Sequence, residues 1–131
     1  MGRHEFADSL RGVYVLIVDD NATRRQLLHE VLQYCGALVR DADGVEVAHA
    51  VLREVTPSVM VLAVGAPADE AWALVRFVRS RRLEHGGKMP AVAVGPGALA
   101  DTARLNGVDA YVVEPVDAWA LCRLVAEVTD C

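Results

Sequence analysis

Positive charge is scarce in this chain, and a membrane-length apolar run is missing from it. Thirteen Lys and Arg, with Lys88 the single lysine, stand against eighteen Asp and Glu, for a net charge of −5. The basic residues form no stripe that could neutralise successive phosphates, which argues against a nucleic-acid partner. No apolar stretch approaches the about 18 residues of a membrane span, and Met1 to Gly12 lacks the apolar segment of a signal peptide. The expected location is therefore the cytoplasm, with no membrane partner. Cys35, Cys122 and Cys131 are odd in number and far apart. They show neither a C-x-x-C pair nor zinc-ligand spacing with His4, His29, His49 or His85, and they read as reduced thiols, two of them in the core. A Gly-rich phosphate loop, a Ser-His-Asp ordering and a Cys-His pair are also missing, so nothing supports catalysis and the chain is not expected to be an enzyme. Low-complexity tracts are absent too. What is present, 131 residues of which 53% are hydrophobic and 24% charged, suits one folded domain with a real core.

The apolar residues fall into alternating strand and helix patterns. Val13 to Val18 is an unbroken apolar hexamer, as expected of a strand covered on both faces. After it, Asp20 or Asn21 can cap a helix with Leu28, Val31, Leu32 and Cys35 at helical spacing, stopped by Gly36. A second unit reads as a strand over Ala37 to Arg40 and a helix carrying Val47, Val51, Leu52 and Val55, ended by Pro57. The third strand spans Val59 to Val64 and leads through Gly65-Ala66-Pro67 to a helix from about Asp69 to Arg82. His85-Gly86-Gly87 reads as a loop. A short fourth strand, Ala91 to Val94, precedes a brief helix around Leu99 to Leu105 closed by Gly107. The fifth strand, Ala110 to Val113, runs through Glu114-Pro115 into a helix from Asp117 to about Val128. Five such units predict a single doubly wound α/β domain, and ligands in such sheets bind outside the carboxyl ends of the strands.

At those strand ends the chain resembles a known family. VLIVDDNATRR, PSVMVLAVGAP, PAVAVG and GVDAYVVEPV are similar, in order and across residues 12 to 129, to the landmarks of response-regulator receiver domains, the first segment most to receivers of hybrid sensor kinases. The resemblance implies a five-stranded parallel sheet of flavodoxin-like order 2-1-3-4-5 with five helices. It leaves residues 1–11 as an N-terminal extension, part of it a cloning remnant, and 12–129 as the receiver-like domain. It also implies a cis peptide at Glu114-Pro115.

The same resemblance implies a degraded phosphorylation pocket. The family's phosphoacceptor aspartate corresponds to Ala63, which has no oxygen to attack phosphorus. The family's Ser or Thr after the fourth strand is Gly95, and its Lys after the fifth is Glu114. Asp19 and Asp20 match the magnesium-binding acids, and Tyr111 matches the aromatic that switches with phosphorylation. Asp19, Asp20 and Glu114 together carry about three negative charges, which would repel a phosphate dianion; Lys88 lies at the opposite end of the sheet.

Plainer readings stand beside these. Asp19-Asp20 can simply cap the first helix, Glu114 can turn to solvent, and Tyr111 can be an ordinary half-buried strand residue. Trp72 reads as edge packing. Trp119, Ala120, Leu124 and Ala126 lie off the core stripe of the last helix and leave it apolar on more than one side, as a partner surface would be. The expectation is a pseudo-receiver acting by contact, without phosphorylation, through Tyr111, Trp119 and Leu124. Its partner would be a histidine kinase, a phosphotransfer protein, another domain of a longer chain or a second copy bound through the last helix. No cofactor is expected beyond a weak magnesium or calcium site at Asp19, Asp20 and the Gly65 carbonyl. The alternative is an atypical phosphoacceptor, or a small-ligand or cation site built on Asp19, Asp20 and Glu114.

Overall fold

The computed structural model describes residues 8–82 and 87–130. The readings placed on Met1 to Ala7, on His85-Gly86 and on Cys131 lie outside the described residues. The elements alternate as β1 (Tyr14–Val18), α1 (Ala22–Tyr34), β2 (Leu38–Ala42), α2 (Val45–Glu54), β3 (Val59–Ala63), α3 (Asp69–Arg79), β4 (Ala91–Gly95), α4 (Ala100–Leu105), β5 (Ala110–Val113) and α5 (Ala118–Thr129). All pairings between strands are parallel, in the order β2-β1-β3-β4-β5. This is the flavodoxin-like order expected, and the cis Glu114-Pro115 peptide is present as well.

Alternation along each strand divides the core in two. Leu16, Val18, Met60, Leu62, Ala91 and Ala93 meet α2, α3 and α4 on one face, while Val15, Ile17, Val59, Val61, Val92 and Val94 meet α1 and α5 on the other. The unbroken apolar runs of β1 and β3 follow from this double coverage. β2 lies at the sheet edge and alternates in exposure, so it tolerates Arg40 and Asp41 and pairs with β1 as far as Ala42, past the expected end at Arg40. Trp72, expected at an edge, is instead buried against the sheet. α3 stops at Arg79, short of Arg82, where Ser80 turns its hydroxyl back onto the Phe77 carbonyl at 2.7 Å. Leu10 is fully buried and its N–H donates to the Cys35 carbonyl at 2.8 Å, so residues just before β1 pack onto the domain.

The amino ends of the later strands are held by one side chain. The Arg79 guanidinium donates to the carbonyls of Met89 (2.6 Å) and Gly107 (3.1 Å) and to the Asp109 carboxylate (2.5 Å). The same Asp109 oxygen accepts the Ala91 N–H at 2.8 Å. One residue of α3 thereby fixes the entries to β4 and β5.

The reading of Cys35 and Cys122 as reduced thiols needs correction. They are joined as a disulfide across a sequence separation of 87 residues, and both are fully buried. α1 and α5 lie side by side on one face of the sheet, which brings the end of α1 against the middle of α5. Sequence spacing alone carries no sign of that contact.

Candidate functional site

The carboxyl ends of β1, β3 and β4 surround a cavity of about 410 Å³ lined by Asp19, Asp20, Arg24, Ala63, Gly65, Glu70, Pro96 and Glu114, among others. Five of the residues singled out in the sequence, Asp19, Asp20, Ala63, Gly65 and Glu114, thus come together in one place. Gly95 and Tyr111 sit at its edge, where the Tyr111 hydroxyl donates to the Pro96 carbonyl at 2.6 Å. Trp119 and Leu124 lie apart from it, packed on the α1/α5 side of the core.

Asp19 is the one buried charged side chain among the described residues, 2% exposed. A carboxylate in that position needs a compensating charge and a full set of donors. Both come from α1. Asn21 caps the helix by accepting the Arg24 N–H at 2.9 Å, and its own N–H reaches Asp19 Oδ1 at 2.9 Å. One turn on, Arg24 grips Asp19 from two directions, Nε to Oδ2 at 2.6 Å and Nη2 to Oδ1 at 2.8 Å. Its remaining nitrogen, Nη1, donates to Glu114 Oε1 at 2.6 Å. Arg25 Nη1 caps the Asp19 carbonyl at 2.8 Å. The hydrogen bonds to Asp19 hold the Arg24 guanidinium above its ordinary range, against the opposing effect of burial, so it stays charged at any working pH.

Arg24 changes the expected electrostatics. Glu114 does not simply turn to solvent; it is tied across the cavity to the first helix. The acids at Asp19, Asp20 and Glu114 are also partly neutralised from within, and the pocket is about one unit less negative than its acids alone suggest. Arg24 went unassigned in the sequence. The signal available was a basic residue one helical turn beyond a strand-end acid, but its second partner lies 90 positions away. Asp20 is exposed at the rim, and Ala63 offers only a methyl group to the cavity. Among the described residues no three His, Cys, Asp or Glu side chains are grouped to hold a metal ion.

Gly95 explains the position of Tyr111. A Cβ at residue 95 would lie 2.7 Å from the Tyr111 hydroxyl and 2.6 Å from both the Val64 carbonyl oxygen and its Cγ2. The aromatic side chain thus approaches a strand end with no side chain of its own. Burial, and then the nearby Glu114 charge, raise the Tyr111 phenol above its ordinary value, which keeps the hydroxyl protonated as a donor to Pro96.

No family model matches the chain. It is 32% identical over 116 residues to an uncharacterized 14.6 kDa protein in the sodA1 3′ region of Leptolyngbya boryana, covering 86% of this chain and 87% of that one. Among solved structures it resembles a putative response regulator from Chloroflexus aurantiacus J-10-fl, with a TM-score of 0.81, 23% identity and coverage of 89% and 97% of the two chains. It resembles the chemotaxis response regulator CheY4 of Vibrio cholerae at TM-score 0.79 and 22% identity, over 88% and 98%. The receiver domain of the sensor histidine kinase PA1611 from Pseudomonas aeruginosa PAO1, which has a magnesium ion coordinated in its active-site cleft, matches at TM-score 0.77 and 19% identity, over 90% and 98%. With its strand order, its strand-end cavity and these likenesses, the chain has the response-regulator receiver fold and belongs to one family with the Leptolyngbya boryana protein.

Proposed function

We propose that this chain is a receiver-fold signalling module of a two-component pathway that acts by protein contact and accepts no phosphoryl group. The observation that carries this reading is Ala63. It ends β3 and lines the cavity where a receiver would present its aspartate, and a methyl group cannot attack phosphorus. The reading makes the chain a binding module and not an enzyme. Use of Asp19, Asp20 and Glu114 for a small ligand is less well supported, because Arg24 already engages two of the three. Incubation with acetyl phosphate, or with beryllofluoride and magnesium, is expected to leave the intact mass and the amide NMR spectrum unchanged. A stable adduct of one phosphoryl group would overturn the reading.

The partner surface we assign comprises α4, β5 and α5. Leu105 is 87% exposed and Val113 53%, with Tyr111 half-buried on β5, and Trp119 and Leu124 are half-buried on the side of α5 that faces α1. A histidine kinase, a phosphotransfer protein or a second copy of the chain would meet a standing surface, since no phosphoryl group is there to switch it. Trp119 is the proposed anchor. It packs edge-on against Tyr34 at 5.6 Å between ring centroids and is partly buried against the core, so Trp119→Ala is expected to cost about 2–3 kcal/mol of stability while weakening self-association or partner capture at least tenfold. Sedimentation and pull-down with the cognate kinase read the second effect, and unchanged association would place the interface elsewhere.

A further inference from the structure

A receiver fold implies a divalent cation at the first-strand acids, and the donor set here does not fit one. Such an ion takes carboxylate and carbonyl oxygens and is held through one or two carboxylates together with a substrate phosphate. In this chain both Asp19 oxygens already accept from Arg24, and one of them also accepts the Asn21 N–H. Glu114 accepts from the same guanidinium, and Ala63 has nothing to offer. Asp20 and the Gly65 carbonyl are left, a single carboxylate and a carbonyl with no substrate phosphate to complete the set.

We propose that Arg24 is the resident cation of this pocket and stands in for a divalent metal ion. The chemistry suits the role. The buried Asp19 carboxylate needs a permanent positive charge, and a guanidinium cannot lose its proton. Its planar fork also meets two carboxylates at once, which a lysine ammonium on the same helix turn could not match. Arg24 bridges the end of β1 to the residue after β5, and so supplies the positive charge that the cavity's acids need, with no dependence on metal concentration. The inference concerns the cation alone and goes beyond the signalling reading. An acetyl phosphate adduct would overturn that reading and leave this one standing.

The test compares the full chain with Arg24→Ala in calorimetric titrations with MgCl2 and MnCl2, and in thermal unfolding with MgCl2 or methylguanidinium chloride added. The native protein is expected to show no saturable heat with either metal at millimolar concentration and no shift in Tm. Arg24→Ala is expected to lose about 10 °C in Tm and to recover at least half of it with magnesium or methylguanidinium. It should also gain saturable magnesium binding that Asp19→Asn abolishes. Should the variant be unfolded in plain buffer, refolding on addition of either cation is the same recovery. Saturable magnesium binding by the native chain overturns the proposal, and so does a variant that neither cation restores.

Discussion

A side chain at residue 95 has no room. The contacts of 2.6–2.7 Å that a Cβ would make there involve the Val64 carbonyl as well as the tip of Tyr111, and backbone cannot rotate away as a side-chain tip can. Gly95→Thr should therefore destabilise the protein by about 1–3 kcal/mol, seen as a lower urea midpoint at unchanged slope. Adding Tyr111→Ala should recover only part of the loss, because the Val64 contacts remain. A neutral Gly95→Thr would mean that the strand end yields more easily than its packing implies. The same crowding bears on any attempt to rebuild a phosphoacceptor. Ala63→Asp would place a new carboxylate beside Asp19, Asp20 and Glu114, facing a guanidinium that is already engaged. Labelling then needs Gly95→Thr and Glu114→Lys as well, and Arg24 exchanged for a residue that leaves Asp19 free. The single Ala63→Asp variant should remain unlabelled by acetyl phosphate, checked by intact mass.

Among the elements, α3 does the most to keep the later strands in register. It supplies Leu74, Val75 and Val78 to the core, and its last residue, Arg79, ties down the starts of β4 and β5. Arg79→Ala would leave the Met89 and Gly107 carbonyls without this donor and would free Asp109 from its counter-charge. The guanidinium is 26% exposed and Asp109 is 47% exposed, so the ion pair itself contributes little. The loss comes mainly from the carbonyls, about 2 kcal/mol in all. Arg79→Lys should not repair it, since one ammonium cannot reach three acceptors; hydrogen exchange at the β4 and β5 amides would read the loosening locally. These elements were largely legible in the sequence because hydrophobic period and turn residues are local. Gly36 and Gly107, both at positive φ, marked two helix ends correctly. Boundaries slipped where a tertiary partner decides them: β2 extends as far as β1 pairs with it, and Ser80 stops α3. The candidate site was legible as a set of strand-end residues. Its inner wiring was not, because the bond from Arg24 to Glu114 depends on the sheet having closed.

For the molecule as a whole, the two ends of the sheet are governed by two arginines, Arg24 at the carboxyl ends and Arg79 at the amino ends, while the α1/α5 layer is closed covalently. A loop of 87 residues is long enough that its closure restricts the unfolded chain by up to about 4.5 kcal/mol. Dithiothreitol, or the paired substitutions Cys35→Ser and Cys122→Ser, should therefore lower the denaturant midpoint without altering the native amide spectrum away from α1 and α5. Equal stability of oxidised and reduced protein would show that the bond adds nothing to the fold. The bond also divides the chain mechanically. Pulled by its two ends, the oxidised protein carries tension through β1 and α1, across the two sulfurs, and out along the last turns of α5. β2, β3, β4 and β5 lie inside a closed ring that the covalent path of the tension bypasses. At about 3.4 Å per residue, a ring spanning 87 positions withholds roughly 300 Å of contour length, a length that a molecule stretched under reducing conditions would give up and an oxidised one would keep.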